Sequence, residues 1–487
     1  MPLRNFAKTL FSRFAWRAYN TYRKGVRFRR QLRETTALLD APRETVLAYQ
    51  AERLEKLLRH ARETTPYYRE LLKRASIEPS RGTGPRATGA AAIALSDIPP
   101  LEKQIIREQR ERLCSDAFPP DRRIKNATGG STGTPLTFYQ DRDYWNQRNL
   151  SVYYFDRWAG WDFGEPQLIL WGALQDSRSR RFNAFWRNQH WLNGFHLTES
   201  AMRETYEKMR WWHPRTILAY PSSLYQFAKF IARFQSSPTG NRNAEGVRVP
   251  VKWTTQLKGI ITSAEMLHPH YRYLAEEVFQ TKVYNRYGGR EVGLIAMECA
   301  EGRMHVNCRD ICVEVDSPNP WTEPGELLVT QLNNYAMPFI RYRIGDIGRL
   351  SDEMCPCGNQ LPILAELLGR STATFQTKSG ALIHGGYFTQ QFYSLTGVSQ
   401  FQLIQETLEK CTLKLVINAQ WQEATRHHII QKIREALGAE VTVNVEFVAD
   451  IPLPASGKRE FTISYLANAR GGQAPAPQDK AHSTDVT

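Results

Sequence analysis

From residue 43 to residue 75 apolar positions recur at helical intervals, as in Leu54-Glu55-Lys56-Leu57-Leu58-Arg59-His60-Ala61, and predict a helical opening to the folded body. Ser80 to Ala92 is rich in Gly, Pro and Ala and reads as a flexible insert. Leu95-Ser96-Asp97-Ile98-Pro99-Pro100-Leu101-Glu102-Lys103 then leads into a short helix. Between Leu168 and Pro362 short β-rich runs alternate with helical stretches, which is the signature of an α/β domain. These runs are Leu168-Ile169-Leu170-Trp171, Thr216-Ile217-Leu218-Ala219-Tyr220 and Gly259-Ile260-Ile261-Thr262-Ser263, and Glu326-Leu327-Leu328-Val329-Thr330 opens a more purely β region.

Past Arg370 the pattern changes. Strand-like Phe401-Gln402-Leu403-Ile404 and Leu413-Lys414-Leu415-Val416-Ile417, a helix near Glu423 to Leu437, and strand-like Val441-Thr442-Val443-Asn444-Val445 predict a compact α+β unit of about a hundred residues. The tail from Asn468 carries few large apolar residues and is expected to be disordered. The pattern divides the chain into a basic segment (1–42), a large α/β domain (43–370), a small α+β domain (371–467) and the tail (468–487).

Composition agrees with more than one core: the chain has 487 residues, of which 41% are hydrophobic. No apolar run is long enough to span a bilayer. Seven cysteines, an odd number with no secretory segment, point to a reducing compartment and a cytoplasmic location. The net charge of +15 is concentrated. Arg4, Lys8, Arg13, Arg17, Arg23, Lys24, Arg27, Arg29, Arg30 and Arg33 occur before any acidic residue, with Phe6, Leu10, Phe11, Phe14, Ala15 and Tyr19 among them at near-helical spacing. That segment reads as a basic amphipathic helix resting on an anionic, inner-membrane surface or as a solvated helix packed on the body, with a cleaved transit peptide as a third reading. No nucleic-acid reading module accompanies the charge, so nucleic acid is not an expected partner.

The most distinctive local sequence is Thr128-Gly129-Gly130-Ser131-Thr132-Gly133-Thr134-Pro135, just after Arg122-Arg123-Ile124-Lys125. Glycines let backbone approach a ligand, and hydroxyls and amide N–H groups of such a turn converge on an anion, so the loop reads as a phosphate cradle. The P-loop pattern is not met, because no lysine follows the last glycine. Further along, Tyr284-Asn285-Arg286-Tyr287-Gly288-Gly289-Arg290-Glu291 offers an aromatic face and a carboxylate, and Arg341-Tyr342-Arg343-Ile344-Gly345-Asp346 ends in an acid suited to ribose hydroxyls. Gly369-Arg370 and Pro454-Ala455-Ser456-Gly457-Lys458 complete the series.

In this order the motifs resemble those of the adenylate-forming enzymes, the superfamily of acyl-CoA synthetases, luciferases and peptide-synthetase adenylation domains. The chain is most similar to the phenylacetate-CoA ligase-like branch, which includes CapK-like proteins of capsular polysaccharide biosynthesis. Leu54–Ala61 followed by Thr65-Pro66-Tyr67-Tyr68, the Thr-Gly-Gly-Ser-Thr-Gly-Thr-Pro loop and Cys355-Pro356-Cys357-Gly358 favour this branch, and the resemblance spans roughly residues 45 to 465.

The resemblance implies a large adenylation domain of mixed sheets and helices with a β-rich subdomain, and a small mobile α+β C-terminal domain. It implies activation of a carboxylic acid by ATP to an acyl-AMP, with Mg²⁺, and transfer of the acyl group to a thiol, most simply coenzyme A. Acceptors of the same class would be a carrier-protein thiol or a sugar amine. A noncatalytic membrane-surface assembly protein that keeps the fold is the different-class alternative, against which Lys458 and Glu291 both stand.

By the same resemblance Thr128, Ser131, Thr132 and Thr134, with Gly129, Gly130 and Gly133, would hold the β- and γ-phosphates, and Glu291 would bind Mg²⁺. Tyr287 would stack on adenine, Asp346 would hold the ribose with Arg370 assisting, and Lys458 would neutralise charge at the carboxylate and α-phosphate. Two departures stand out. Arg290 occupies the usual threonine position, and Ser371-Thr372-Ala373-Thr374 replaces a normally acidic hinge. Tyr220-Pro221-Ser222-Ser223 and Thr262-Ser263-Ala264-Glu265 stand where the family builds its acyl pocket. The aromatics Trp145, Tyr153, Tyr154, Phe155, Trp158 and Trp161 would line that pocket or form core.

The cysteines form a second constellation. Cys355 and Cys357 lie on a Pro/Gly turn, and Cys299 and His305 lie upstream beside Cys308 and Cys312. Thiolate and imidazole suit tetrahedral zinc, so Cys299, His305, Cys355 and Cys357 form a candidate structural site, the alternative being buried free thiols and a surface histidine. Cys114 and Cys411 are isolated and read as packing.

Overall fold

A computed structural model describes residues 28–74, 95–128, 136–172, 184, 187–194, 197–236, 257–370, 374–379, 382–392, 395, 397–452 and 461–466. The expectations for residues 1–27, Ser80–Ala92, Gly129–Pro135, Ser371–Ala373, Lys458 and the tail lie outside the described residues, as does the side chain of Arg370. Among the described residues no helix is long and apolar enough to cross a membrane.

The described residues fall into two compact units. The first holds everything up to Ile344 together with Gly348–Leu367, and the second runs from Leu368 on and takes in Gly345–Ile347.

In the first unit residues 28–39 are helical, and Leu39 is fully buried in the main core. The helical region expected from residue 43 is two helices, α1 (Arg43–Thr64) and α2 (Pro66–Arg74). The break is at Thr65, which is extended, because a proline next in sequence disfavours the helical conformation of the residue before it. The short helix α3 (Lys103–Glu108) precedes an antiparallel hairpin of β1 (Ile124–Ala127) and β2 (Thr137–Gln140), in which Ala127 faces Thr137 across the mouth of the Gly/Ser/Thr loop. Helix α4 (Arg142–Asp156) follows at once, capped by the Asp141 carboxylate accepting the Tyr144 N–H at 2.7 Å.

An eleven-stranded mixed sheet forms the body. Its strands are β3 (Gln167–Trp171), β4 (Gln189–Asn193), β5 (Thr216–Ala219), β6 (Gly259–Ser263), β7 (Val283–Gly289), β8 (Gly293–Glu298), β9 (Met304–Val306), β10 (Ile311–Asp316), β11 (Gly325–Gln331), β12 (Tyr342–Ser351) and β13 (Ile363–Arg370). The spatial order is β10-β11-β12-β13-β9-β8-β7-β6-β5-β3-β4. Strands β3 to β7 run parallel, and β8 turns back antiparallel on β7. Parallel strands are covered on both faces, which is why Leu168-Ile169-Leu170 and Ile260-Ile261 are unbroken apolar runs and wholly buried. Helices α5 (Glu199–Trp212), α6 (Pro221–Ser236) and α7 (Pro269–Phe279) supply Tyr206, Met209, Leu224, Phe227, Ile231, Ala275 and Phe279 to a second core of this unit, apart from the main one.

The second unit holds the short hairpin β14 (Thr374–Gln376) and β15 (Leu382–His384), helix α8 (Gly386–Phe392), and a four-stranded sheet. That sheet comprises β16 (Val398–Gln405), β17 (Lys410–Ile417), β18 (Thr442–Phe447) and β19 (Thr462–Ser464) in the order β18-β17-β16-β19. Helix α9 (Glu423–Leu437) crosses between parallel β17 and β18 and buries Ile429, Ile433 and Leu437, a four-residue repeat that keeps one face on the sheet. The residues that read as strand, strand, helix and strand along this segment form those elements.

Candidate active site

The parallel strands β3 to β7 all end on one edge, and in such sheets ligands bind beyond the carboxyl ends of the strands. At that edge Trp171 from the end of β3 stacks on Tyr220 after β5, with centroids 4.0 Å apart and planes at 19°. Helix α6 starts immediately after Tyr220, and its Ser222 N–H donates to the Glu265 carboxylate at 3.0 Å, a charge well placed at a helix N-terminus. Glu265 follows Ala264, whose φ of +75° is uncommon for a residue with a Cβ and marks a tightly determined turn after β6.

Strand β7 and the turn after it carry the second predicted motif. Gly288 is required there, since a Cβ would stand 2.3 Å from the Gly293 carbonyl oxygen. Arg286, within this motif, forms an ion pair with Asp156 at 2.8 Å. Burial pushes the Asp156 carboxyl up, and the guanidinium of Arg286 pulls it back toward the charged form. Tyr287 is half-buried against the main core. Glu291 accepts a hydrogen bond at 3.2 Å from the hydroxyl of fully buried Tyr342. Asp346 is buried in β12, and Arg370 ends β13.

The arginines of the Arg-Tyr-Arg motif are structural. Arg341 adopts φ +51° and is held by its own bonds to the carbonyls of Ile98 and Ser96 and by an ion pair with Glu314. Arg343 pairs with Glu102, Asp316 and Glu326. Of the aromatics offered as pocket lining or core, Tyr154 and Phe155 are buried in the core, Trp145, Tyr153, Trp158 and Trp161 are half-buried, and Tyr153 packs with Phe28, Trp161 and Phe163. The sequence-based reading did not find Trp171, Gln140 or the Tyr342–Glu291 bond; the adjacent glycine motifs were the only local signal for the last.

The loop stem is joined to the Glu291 turn. Thr128 N–H donates to Leu136 O at 3.0 Å and Leu136 N–H to Thr128 Oγ1 at 2.9 Å, closing the stem. Of the loop itself, only Thr128 is among the described residues.

Cys299, His305, Cys355 and Cys357 come together, with their ligand atoms all within 4.8 Å of one another. Cys299 Sγ lies 3.7 Å from Cys355 Sγ, too far for a disulfide, and Cys357 Sγ lies 3.4 Å from His305 Nε2. A zinc tetrahedron with Zn–S of about 2.3 Å and Zn–N of about 2.0 Å has S···S edges of about 3.8 Å and S···N edges of about 3.5 Å, so both separations fit. The other ring nitrogen, Nδ1, is 3.1 Å from the Leu361 carbonyl, which fixes Nδ1 as the protonated one and leaves the Nε2 lone pair facing the sulfurs. The Glu301 N–H donates to Cys299 Sγ at 3.4 Å, and Gly358, at φ +84°, turns the chain after the two downstream cysteines. Trp158 covers the His305 ring edge-on at 5.3 Å.

Burial holds the His305 imidazole below its ordinary value, so it is neutral at pH 7. Burial also pushes the Cys299 thiol up, and desolvation with the neighbouring sulfurs pushes Cys357 up to about 12 although that residue is exposed overall. Without a metal these thiols stay protonated, and a bound cation would displace the protons. His305 is fully buried rather than on the surface. Cys308 and Cys312 lie apart from the cluster, and Cys114 and Cys411 are buried.

The architecture is that of the adenylate-forming enzymes, with a large α/β body and a separate C-terminal α+β unit. A solved 2-hydroxyisobutyryl-CoA ligase in complex with an acyl-AMP in the postadenylation state superimposes with a TM-score of 0.64 at 18% identity, over 88% of this chain and 91% of the other. Residues 375–465 match the CapK C-terminal domain. Protein CapK of Staphylococcus aureus is 23% identical over 435 residues, covering 86% of this chain and 89% of the relative. A phenylacetate-coenzyme A ligase of Thermus thermophilus is 23% identical over 354 residues, covering 68% and 71%. In fold and in sequence the chain thus resembles the adenylate-forming superfamily, and within it CapK and phenylacetate-CoA ligase.

Proposed function

We propose that this chain is an ATP-dependent carboxylic acid ligase that forms an acyl-AMP and passes the acyl group to a thiol, most simply coenzyme A. The observation that carries the reading is the meeting, at the carboxyl edge of the parallel sheet, of the Gly/Ser/Thr loop stem with the Glu291 turn, in a fold shared with an acyl-CoA ligase. A carboxylate oxygen of the acid attacks the α-phosphorus of ATP and the bond to pyrophosphate breaks. The thiolate sulfur then attacks the acyl carbonyl carbon, and AMP leaves. Catalysis of such transfers is mostly positioning and charge neutralisation.

Thr128 and the loop hydroxyls would hold the β- and γ-phosphates, Tyr287 the adenine and Asp346 the ribose. Glu291 presents one carboxylate, oriented by Tyr342, and that hard oxygen donor would suit Mg²⁺. When bound, the cation neutralises phosphate charge. Glu291→Gln keeps an oxygen for the Tyr342 hydroxyl and removes the charge, so the fold survives while apparent Mg²⁺ affinity in pyrophosphate release falls by on the order of 10–100-fold. An unchanged Mg²⁺ dependence moves the metal away from Glu291.

The match of residues 375–465 to the CapK C-terminal domain favours one second reading, transfer of the acyl group to a carrier-protein thiol or a sugar amine. A pyrophosphate-release screen over aryl, fatty, hydroxy and amino acids, with and without coenzyme A, tests both. Thioester formation supports the first reading. Release without any thioester supports the second, and no release with any acid defeats both.

The cysteine–histidine cluster is read as a structural zinc site that ties the turn after β8 and strand β9 to the Cys355–Gly358 turn. The donor set, the fitting separations and the fixed imidazole tautomer support zinc, and a four-ligand protein set leaves no position for substrate.

A further inference from the structure

Arg290 was a departure from the expected motif with no role attached, and the structure surrounds it with a specific network. Its Nη1 donates to the Ala127 carbonyl at 3.2 Å, immediately before Thr128 at the start of the phosphate loop. From the other side of the same stem, Gln140 is fully buried at the end of β2. Its Nε2 lies 3.2 Å from the Arg290 carbonyl oxygen and 3.4 Å from that of Glu291, and donates to both. Its Oε1 accepts from Asn126 Nδ2 at 3.1 Å, and Asn126 Oδ1 accepts the Ala127 N–H at 2.9 Å. Both strands of the loop stem are thereby bonded to the one turn, Arg290–Val292, that joins β7 to β8.

We propose that Arg290 and Gln140 are positioning residues that clamp the two stem strands flanking the phosphate-loop sequence to the Glu291 turn, so that the stem and the carboxylate stand in one fixed relation when a nucleoside triphosphate binds. This rests on the ATP-ligase reading. The two stem strands flank the glycine-rich sequence 129–135, and anchor strands already fixed to the Glu291 turn have less freedom to lose when phosphate binds. The guanidinium suits the task because it is planar, always charged and long enough to act across the stem, whereas Gln140 presents an acceptor to one strand and a donor to the turn. Neither side chain is required to touch the nucleotide.

Arg290 is exposed, so Arg290→Ala is not expected to unfold the protein, and a thermal scan checks this. The native full-length chain, Arg290→Ala and Arg290→Lys are compared in two assays. Hydrogen exchange on nucleotide-free protein, followed in peptides spanning 124–140, reads the stem; calorimetric titration with ATP and Mg²⁺ reads binding. The expected result for Arg290→Ala is exchange at the stem faster by about tenfold or more and ATP affinity weaker by about tenfold, with an unchanged melting temperature and partial rescue by lysine. Weaker ATP binding with an unaltered stem overturns the clamp and makes Arg290 a direct phosphate contact. A faster-exchanging stem with unaltered ATP affinity overturns its role in binding. Native protein that binds no ATP is a separate outcome, read before any variant; it defeats the ligase reading, and this inference with it.

Discussion

Lys458→Ala is expected to slow acyl-AMP formation by about 10²- to 10³-fold while thioester formation from supplied acyl-AMP stays near the native rate. In the first step the attacking acid oxygen gives up charge as negative charge gathers on the α-phosphate oxygens and the departing pyrophosphate, and a lysine ammonium placed there stabilises the transition state more than the bound ground state. In the second step the leaving group is AMP and the attacking atom is a thiolate. The resemblance implies that the small domain then presents a different face, so the same ammonium contributes little. Single-turnover measurement of pyrophosphate release, beside thioester formation from chemically made acyl-AMP, separates the two. Equal losses in both steps would remove this role from Lys458. Lys458→Arg tests geometry as well as charge, since a planar guanidinium is not a substitute for a compact ammonium at a transferring phosphoryl group.

The second large effect concerns the metal. Protein purified without chelator or affinity nickel is expected to carry about one zinc per chain, because four converging ligands make a closed site. Binding free energy at such a site becomes folding free energy. Cys355→Ser leaves buried Cys299 and His305 facing an incomplete set, and a loss of about 3 kcal/mol would lower the melting temperature by roughly 6–12 °C for a unit of a few hundred residues. Adenylation by the surviving folded fraction should change little. The pH dependence has a definite sign. The folded chain holds His305 below its ordinary value through burial, so the unfolded state takes up the proton first as pH falls. Stability from this group is complete above about pH 6.5 and is lost as pH falls below it, and metal release follows the same direction because the ligand must be neutral imidazole. Elemental analysis and melting curves between pH 7.5 and 5 measure both. A metal-free protein of full stability would return the cysteines to ordinary buried thiols.

Much of this architecture was legible locally. The run Leu168-Ile169-Leu170-Trp171 is a buried parallel strand and Glu423–Leu437 is a helix, each for a reason contained within a few residues, whereas the helical spacing of 43–75 does not mark the break at Thr65-Pro66, although its cause is equally local. The roles of Arg341 and Arg343 were not legible in this way. Both sit in a motif that points to nucleotide chemistry, yet their side chains fasten the segment around Ile98 and the β10–β11 strands. The aromatic cluster from Trp145 to Trp161 had two readings on composition alone, and of its members the tertiary packing buries Tyr154 and Phe155 in the main core.

By itself, the sequence determined the kinds of element, their order, the fold class and the residue types able to do phosphate, carboxylate and thiolate chemistry. Periodicity and turn chemistry act over a few residues, so they are written in the local order of side chains. Only the tertiary structure decided which of those residues face one another. Cys299 meets Cys355 across 56 positions, Tyr342 reaches Glu291 across 51, and Gln140 bridges to the Arg290 carbonyl across 150. Such pairings depend on strand order and helix packing throughout the body, where many weak contacts act together, and no neighbouring residue records the outcome.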